Sequence, residues 1–273
     1  PMVQYPPLED VLVAAEPART PEIRCVGDIL LAEDGEDNRE LIGYHLRQTG
    51  ARVTMAPNGR AAVDLALAGP CDLVFMDMQM PELDGYAATA ELRRRGFGKP
   101  IVALTANAMS HDRDKCLAAG CDDYLSKPVS AAALLQVVAQ RLPAAPPGPG
   151  PAQGHASRGP AAPSRLSANI EHLLKQFISR LPKRVDTILD LLRCRDLNAL
   201  RTAVHQLKGA AGGYGLAEVS AVAARAEQAI KQQENLEAIT AEVEALVAVV
   251  RGVDGFAATP AEPTPAAADT PVA

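Results

Sequence analysis

Asp77 closes a short apolar run, residues 73–76, and turn signals follow at once at Pro81 and Gly85. A run of that length suits one buried strand. A carboxylate at the carboxyl end of a parallel strand lies where open α/β sheets hold their active sites. The plain alternative is a carboxylate that merely ends a strand at a turn. Other polar residues close similar runs: Glu33 and Asp34 after residues 29–32, Thr105 after residues 101–104, and Lys127 just beyond residues 122–125. In a five-stranded sheet of order 2-1-3-4-5, strands one, three, four and five are neighbours, so these ends converge. Three carboxylates placed there repel, by about 4 kcal/mol per pair at ~4 Å and an effective dielectric of ~20. A divalent cation removes that cost, and a purely oxygen ligand set suits Mg2+. The cation and Lys127 could then balance a phosphoryl group carried by Asp77, since a carboxylate is a covalent nucleophile in phosphoryl transfer. Thr105 could donate its hydroxyl to a phosphoryl oxygen, and the chemistry would rest on positioning and charge neutralisation.

A second set lies far along the chain. Leu197, Leu200, Val204, Leu207 and Ala211 follow spacings of three and four, one core-facing side of a helix. Beside that stripe run His205, Lys208, Gly209 and Gly212, which share another face. Each helical Gly costs about 1 kcal/mol against Ala, so two on one face ask for a reason. Close approach of a partner would supply it, with His205 presented over a floor free of side chains. Neutral imidazole is nucleophilic near neutral pH, and Lys208 adds positive charge one turn away. The bland alternative is an exposed helical His near a Gly-rich helix end.

The elements that must position these groups can be read in order. Strand-like runs at 29–32, 52–56, 73–77, 101–104 and 122–125 alternate with helical patterns at 36–49, 59–68, 86–95, 110–119 and 131–142. Such alternation predicts a doubly wound parallel sheet with both faces covered, an α/β fold. Residues 1–26 read as an N-terminal linker and 27–142 as the α/β domain. Residues 143–165 are a Pro/Gly/Ala linker, spanning roughly 25 Å if flexible or about 70 Å if extended polyproline. Residues 166–253 are helical throughout, with expected helices at 167–180, 183–193, 196–212, 216–233 and 236–251. Pro182 is taken as a boundary between the first two. An all-α four-helix bundle is the natural architecture. Residues 254–273 form an Ala/Pro/Thr-rich tail expected to be disordered.

Composition narrows the function. The net charge of −6 argues against a nucleic-acid partner held through its phosphates. Apolar residues make up 48% of the chain but aromatics only 3%, so the cores must be aliphatic. No run reaches the length of a membrane span, and no basic-then-apolar leader opens the sequence. The five Cys lack a C-x-x-C and read as buried thiols of a cytoplasmic protein. Pro1 in first position suggests a fragment, or a protein whose start has been removed.

Glu33, Asp34 and Asn38, then Asp77 with Pro81 and Gly85, then Thr105 and Ala106, then Tyr124, Lys127 and Pro128 resemble the response-regulator receiver domain. The likeness covers about residues 27–142. It implies that Asp77 is the phosphoacceptor and that Glu33, Asp34, Asp77 and the Gln79 carbonyl hold Mg2+. It also implies that Thr105 and Lys127 meet the phosphoryl group, that small Ala106 leaves access to it, and that Tyr124 swings inward as a switch. His205, Leu207, Lys208, Gly209, Gly212, Gly213 and Gly215 resemble the histidine phosphotransfer domain, over about residues 166–252. Gly213 departs from that family, which often has a polar side chain there.

Together the modules resemble the C-terminal part of a hybrid sensor histidine kinase. They imply a phosphorelay: an upstream histidine kinase phosphorylates Asp77, and His205 passes the group to a downstream response regulator. Gly209 and Gly212 would face those partners. No Gly-rich nucleotide loop is visible, so the chain is not expected to bind ATP. Two rivals stay open: an aspartyl-phosphate hydrolase, which would want an Asp at position 79 rather than Gln79, and a docking adaptor in which His205 is idle.

Overall fold

Five short runs form parallel strands β1 (Asp28–Ala32), β2 (Arg52–Ala56), β3 (Leu73–Asp77), β4 (Ile101–Thr105) and β5 (Asp123–Ser126). They lie in the order β2-β1-β3-β4-β5, as expected. In the computed structural model the described residues are 23–106, 110–146, 165–233 and 235–256. The segments 1–22, 147–164 and 257–273, which carry most of the two expected linkers and the tail, lie outside them. β3 and β4 are buried along their whole length, while edge strand β2 alternates between exposed and covered positions. Central strands covered on both faces must be continuously apolar, which explains the uninterrupted runs.

Helices α1 (Glu36–Arg47), α2 (Gly59–Ala68), α3 (Gly85–Arg94), α4 (Ser110–Ala119) and α5 (Ala131–Arg141) connect and follow the strands. Asn58, Asp84 and Ser130 each accept a hydrogen bond from a backbone N–H three residues on, which fixes where α2, α3 and α5 begin. Gly85 is required at the start of α3. A Cβ there would lie 2.1 Å from the carbonyl oxygen of Asp77, so any side chain would push the helix off the strand end. One core gathers Leu30, Val74, Met76, Ala88 and Leu92; the opposite face gathers Ile29, Leu31, Phe75, Leu104 and Val138.

The second unit contains α6 (Arg165–Arg193), α7 (Leu197–Gly213), α8 (Ala217–Lys231) and α9 (Leu236–Arg251). Pro182 does not divide two helices, contrary to expectation: it sits inside one helix of 29 residues. Proline costs about 3 kcal/mol in a helix interior. Leu174, Phe177, Ile178, Leu181, Val185 and Ile188 are all buried on the bundle side of α6. Even at about 1.5 kcal/mol each, their burial outweighs that cost. A second correction concerns the thiols: Cys25, Cys71, Cys116 and Cys121 are buried, but Cys194 is exposed just beyond the end of α6.

Candidate functional site

β1 and β3 carry three acids to one point. Oxygens of Glu33, Asp34 and Asp77 lie within 4.8 Å of one another. Lys127 Nζ donates to Asp77 Oδ2 at 2.6 Å and to Glu33 Oε2 at 2.7 Å. These three side chains are almost wholly buried, at 4% exposure or less. Lys127 is held there because its own N–H donates to the Thr105 carbonyl at 2.7 Å, across from β4. Asn38 Nδ2 donates to Glu33 Oε1 at 3.0 Å, and the Gln79 N–H donates to Asp77 Oδ1 at 3.0 Å.

Burial dominates the Asp77 carboxyl and, with the Glu33 charge, pushes it up to about 7 against the pull of Lys127. Burial also raises Asp34, joined by Glu33 and opposed by Gln206, Lys127 and His205. For Lys127, burial lowers the ammonium pKa, but the charges of Asp77 and Glu33 more than offset it and hold the group above its ordinary value. Three carboxylates thus share one ammonium, an imbalance that a divalent cation fits. Asp34 Oδ1 is buried without a hydrogen-bond partner among the described residues, an oxygen available to such an ion. Thr105 is buried one position past Leu104, the register partner of Asp77. Tyr124 pairs with Ala103 and is half-buried against the core.

His205 projects from α7. Its Nδ1 lies 2.9 Å from Glu227 Oε1 on α8, and Lys208 Nζ pairs with the other oxygen of the same carboxylate. Glu227 was missed by sequence reasoning, and no local pattern marks it: it lies one helix away and meets His205 only through packing. Lys208 stands one turn from His205 as expected, yet its ammonium is engaged by Glu227. A carboxylate on Nδ1 selects the tautomer that carries its proton there, leaving a lone pair on Nε2. His205 Nε2 is buried and has no hydrogen-bond partner among the described residues.

Burial would raise the Glu227 carboxyl, but the hydrogen bonds and charges of His205 and Lys208 outweigh it and hold it down at about 2. A carboxyl depressed on folding adds stability that is complete above its unfolded pKa, about 4.3, and is lost as the pH falls through its folded pKa. The contribution is on the order of 3 kcal/mol. In urea unfolding, the wild-type advantage over Glu227→Gln should therefore be full at pH 6 and mostly gone at pH 2.5. An advantage that stayed constant over that range would rule out this assignment.

The acidic cup and the imidazole meet across the boundary between the two units. Gln206 Nε2 donates to Asp34 Oδ2 at 2.7 Å. A Cβ on Gly209 would come within 2.5 Å of Asn38 Nδ2, one on Gly212 within 2.8 Å of Pro128 Cβ, and one on Gly213 within 2.8 Å of Leu41 Cδ2. The bare floor expected to face a partner thus faces the chain's own α1 and the loop after β5. Leu41 of α1 is buried within the bundle's core cluster. Arg180 of α6 donates to Asp37 at 2.8 Å and reaches Glu40 at 3.4 Å, and Arg184 also pairs with Asp37.

Residues 29–139 match the family model of the response regulator receiver domain, and residues 172–254 match that of the Hpt domain. The chain is a receiver domain joined to an Hpt domain. These are the modules of phosphorelay signal transduction. The chain is 34% identical over 237 residues to the sensor histidine kinase GacS of Pseudomonas protegens, covering 80% of this chain and 25% of that protein. It is 35% identical over 114 residues to the sensor histidine kinase RcsC of Escherichia coli, covering 42% of this chain and 12% of that one. The chain therefore spans a quarter or less of the length of these kinases. A solved receiver domain of a sensor histidine kinase from Pseudomonas aeruginosa PAO1 is 44% identical, with a TM-score of 0.40, covering 42% of this chain and 96% of that structure. No helix among the described residues is long and apolar enough to cross a membrane. Within this receiver–Hpt pair the structure brings Glu33, Asp34, Asp77, Lys127 and His205 to a single locus. Thr105 lies beside it, and Tyr124 stands further along the sheet.

Proposed function

We propose that the chain relays a phosphoryl group through Asp77 and His205, from an upstream histidine kinase to the aspartate of a downstream response regulator. One observation carries this reading. The two buried side-chain atoms without partners among the described residues are Asp34 Oδ1, in the cation cup, and His205 Nε2, the nucleophilic nitrogen. A buried polar atom left unpaired costs about 1–3 kcal/mol, so two at one interdomain site ask for an occupant. A phosphoryl group with its cation is that occupant.

In the first step an Asp77 oxygen attacks the phosphorus of an upstream phosphohistidine, and the P–N bond breaks as the donor imidazole leaves. Lys127 neutralises charge on Asp77 and Glu33, and Thr105 donates its hydroxyl to a phosphoryl oxygen. Glu33, Asp34, Asp77 and the Gln79 carbonyl would hold Mg2+, which when bound supplies further neutralisation of the phosphoryl oxygens. In the second step the His205 Nε2 lone pair attacks phosphorus. The P–O bond breaks, and its electron pair returns to the Asp77 carboxylate. The ring, still protonated on Nδ1, becomes cationic, and the ionised Glu227 offsets that charge. Gly209 and Gly212 let the receiver come close enough for in-line attack. Tyr124 acts as the switch that follows Thr105. The kinase relatives and the free thiols support action in the cytoplasm, as the cytosolic part of a membrane-anchored kinase.

A labelling time course tests the order of events. With radiolabelled acetyl phosphate and Mg2+, alkali-labile acyl phosphate should appear first. It should then give way, in a chase, to acid-labile but alkali-stable phosphoramidate. Chelation with EDTA should suppress both. Full phosphoramidate labelling in EDTA, or its absence throughout the chase, would refute the relay.

A further inference from the structure

Asp37 takes no part in the acidic cup, yet it is among the most deeply buried acids in the chain. It stands three residues beyond Asp34, in the first turn of α1, whose N-cap Gly35 offers no side chain. A helix N-terminus welcomes an acid, and that alone could account for an exposed one. Here the Asp37 side chain is 1% exposed and lies beneath two guanidinium groups of the Hpt bundle, from Arg180 and Arg184. Those arginines are four residues apart on α6 and so project from the same side. Arg184 is steadied from within the bundle: its guanidinium lies over the Phe177 ring, 5.9 Å from the centroid, and Phe177 stacks on Tyr214. Glu40, one turn along α1, reaches Arg180 and completes a balanced set of two acids and two bases.

We infer that Arg180 and Arg184 form a selectivity clamp that reads a carboxylate at the position of Asp37, and that this carboxylate makes the chain's own receiver the preferred partner of its Hpt bundle. A receiver with a neutral or basic side chain there would leave Arg184 partly desolvated without its carboxylate and Arg180 with Glu40 alone, a penalty against wrong partners. The clamp grips the residue next to Asn38, which seats on Gly209, so it fixes the approach without touching the reacting atoms. Arg180 and Arg184 are therefore positioning residues. This inference rests on the relay reading for its kinetic consequence, but not for the docking itself.

The test uses the full chain in four forms: wild type, Asp37→Arg with Glu40→Arg, Arg180→Glu with Arg184→Glu, and all four changes together, so that Glu40, which reaches Arg180, is reversed as well. Acetyl phosphate loads Asp77 in each, which shows that the receiver is folded and reactive. Passage of label from Asp77 to His205 should slow at least about 10-fold in either reversed form and recover most of its rate in the fully swapped form. Hydrogen exchange of residues 36–47 in the unlabelled chain gives a second readout: protection should fall in both reversed forms and return in the fully swapped one. Unchanged transfer and protection in the reversed forms would overturn the clamp. So would a fully swapped form that stays slow and unprotected, since that marks Asp37 as a helix-end acid only. If wild type passed no label while protection still followed the charges, the relay would fail and the clamp would stand.

Discussion

His205→Gln should leave the label on Asp77 and send none onward. Glutamine keeps a side chain of similar reach and an N–H for Glu227, so the bundle should fold with its core intact. What it loses is the lone pair on Nε2, because an amide nitrogen is not nucleophilic. No other described side chain of α7 offers a neutral imidazole, and Lys208 is paired with Glu227. Transfer to an added response regulator should therefore fall below detection, by more than about 10³-fold, a scale typical of removing a nucleophile. Acyl phosphate on Asp77 should accumulate, since its route out of the receiver is closed. The same experiment separates the relay from the adaptor in which His205 is idle, where Gln at 205 changes nothing downstream. Undiminished delivery to the regulator would sink the relay.

The second large effect is expected at Lys127→Met. Methionine fills the space but leaves Asp77 and Glu33 facing each other at 1% exposure without their ammonium. Breaking a buried ion pair by removing one partner costs about 3–5 kcal/mol. Asp77, already pushed up to about 7 by burial, should be held protonated further into the neutral range, and a protonated carboxyl is a poor nucleophile. Loss of a preorganised charge at the transferring group commonly costs about 10²–10³ in rate. Initial labelling of Asp77 at pH 7.5 with Mg2+ should drop by about that factor, and urea unfolding should reveal the lost stability. Labelling within threefold of wild type would show that Lys127 plays no part in loading Asp77.

Much of this architecture is written in local patterns. The apolar runs before Asp77 and Thr105 are uninterrupted because β3 and β4 are buried on both faces, so strand identity could be read from them, while the strand order came from the doubly wound fold type. The cup was legible for the same reason: its members stand at strand ends, and topology alone brings strand ends together. The His205 stripe was legible because two glycines on one helical face break the propensity rules, and the structure supplies their reason in Asn38 and Pro128. Pro182 misled because proline is a local signal, whereas α6 is held by burial on both sides of it, from Phe177 to Ile188. Glu227, Arg180, Arg184 and Gln206 were illegible for a related reason. Each is an ordinary polar residue on a helix surface, and its meaning arises only when another element is packed against it. The exposure of Cys194 likewise depends on where α6 ends, one residue before it.

The glycine floor has room for one visitor. With Asn38, Pro128 and Leu41 seated on Gly209, Gly212 and Gly213, a second receiver cannot reach His205 until the first has withdrawn. On the proposed relay, output comes in turns, and its ceiling is the departure rate of the spent internal domain. Tightening the grip between the two modules would hasten loading of the histidine and, by the same measure, delay its delivery to the regulator.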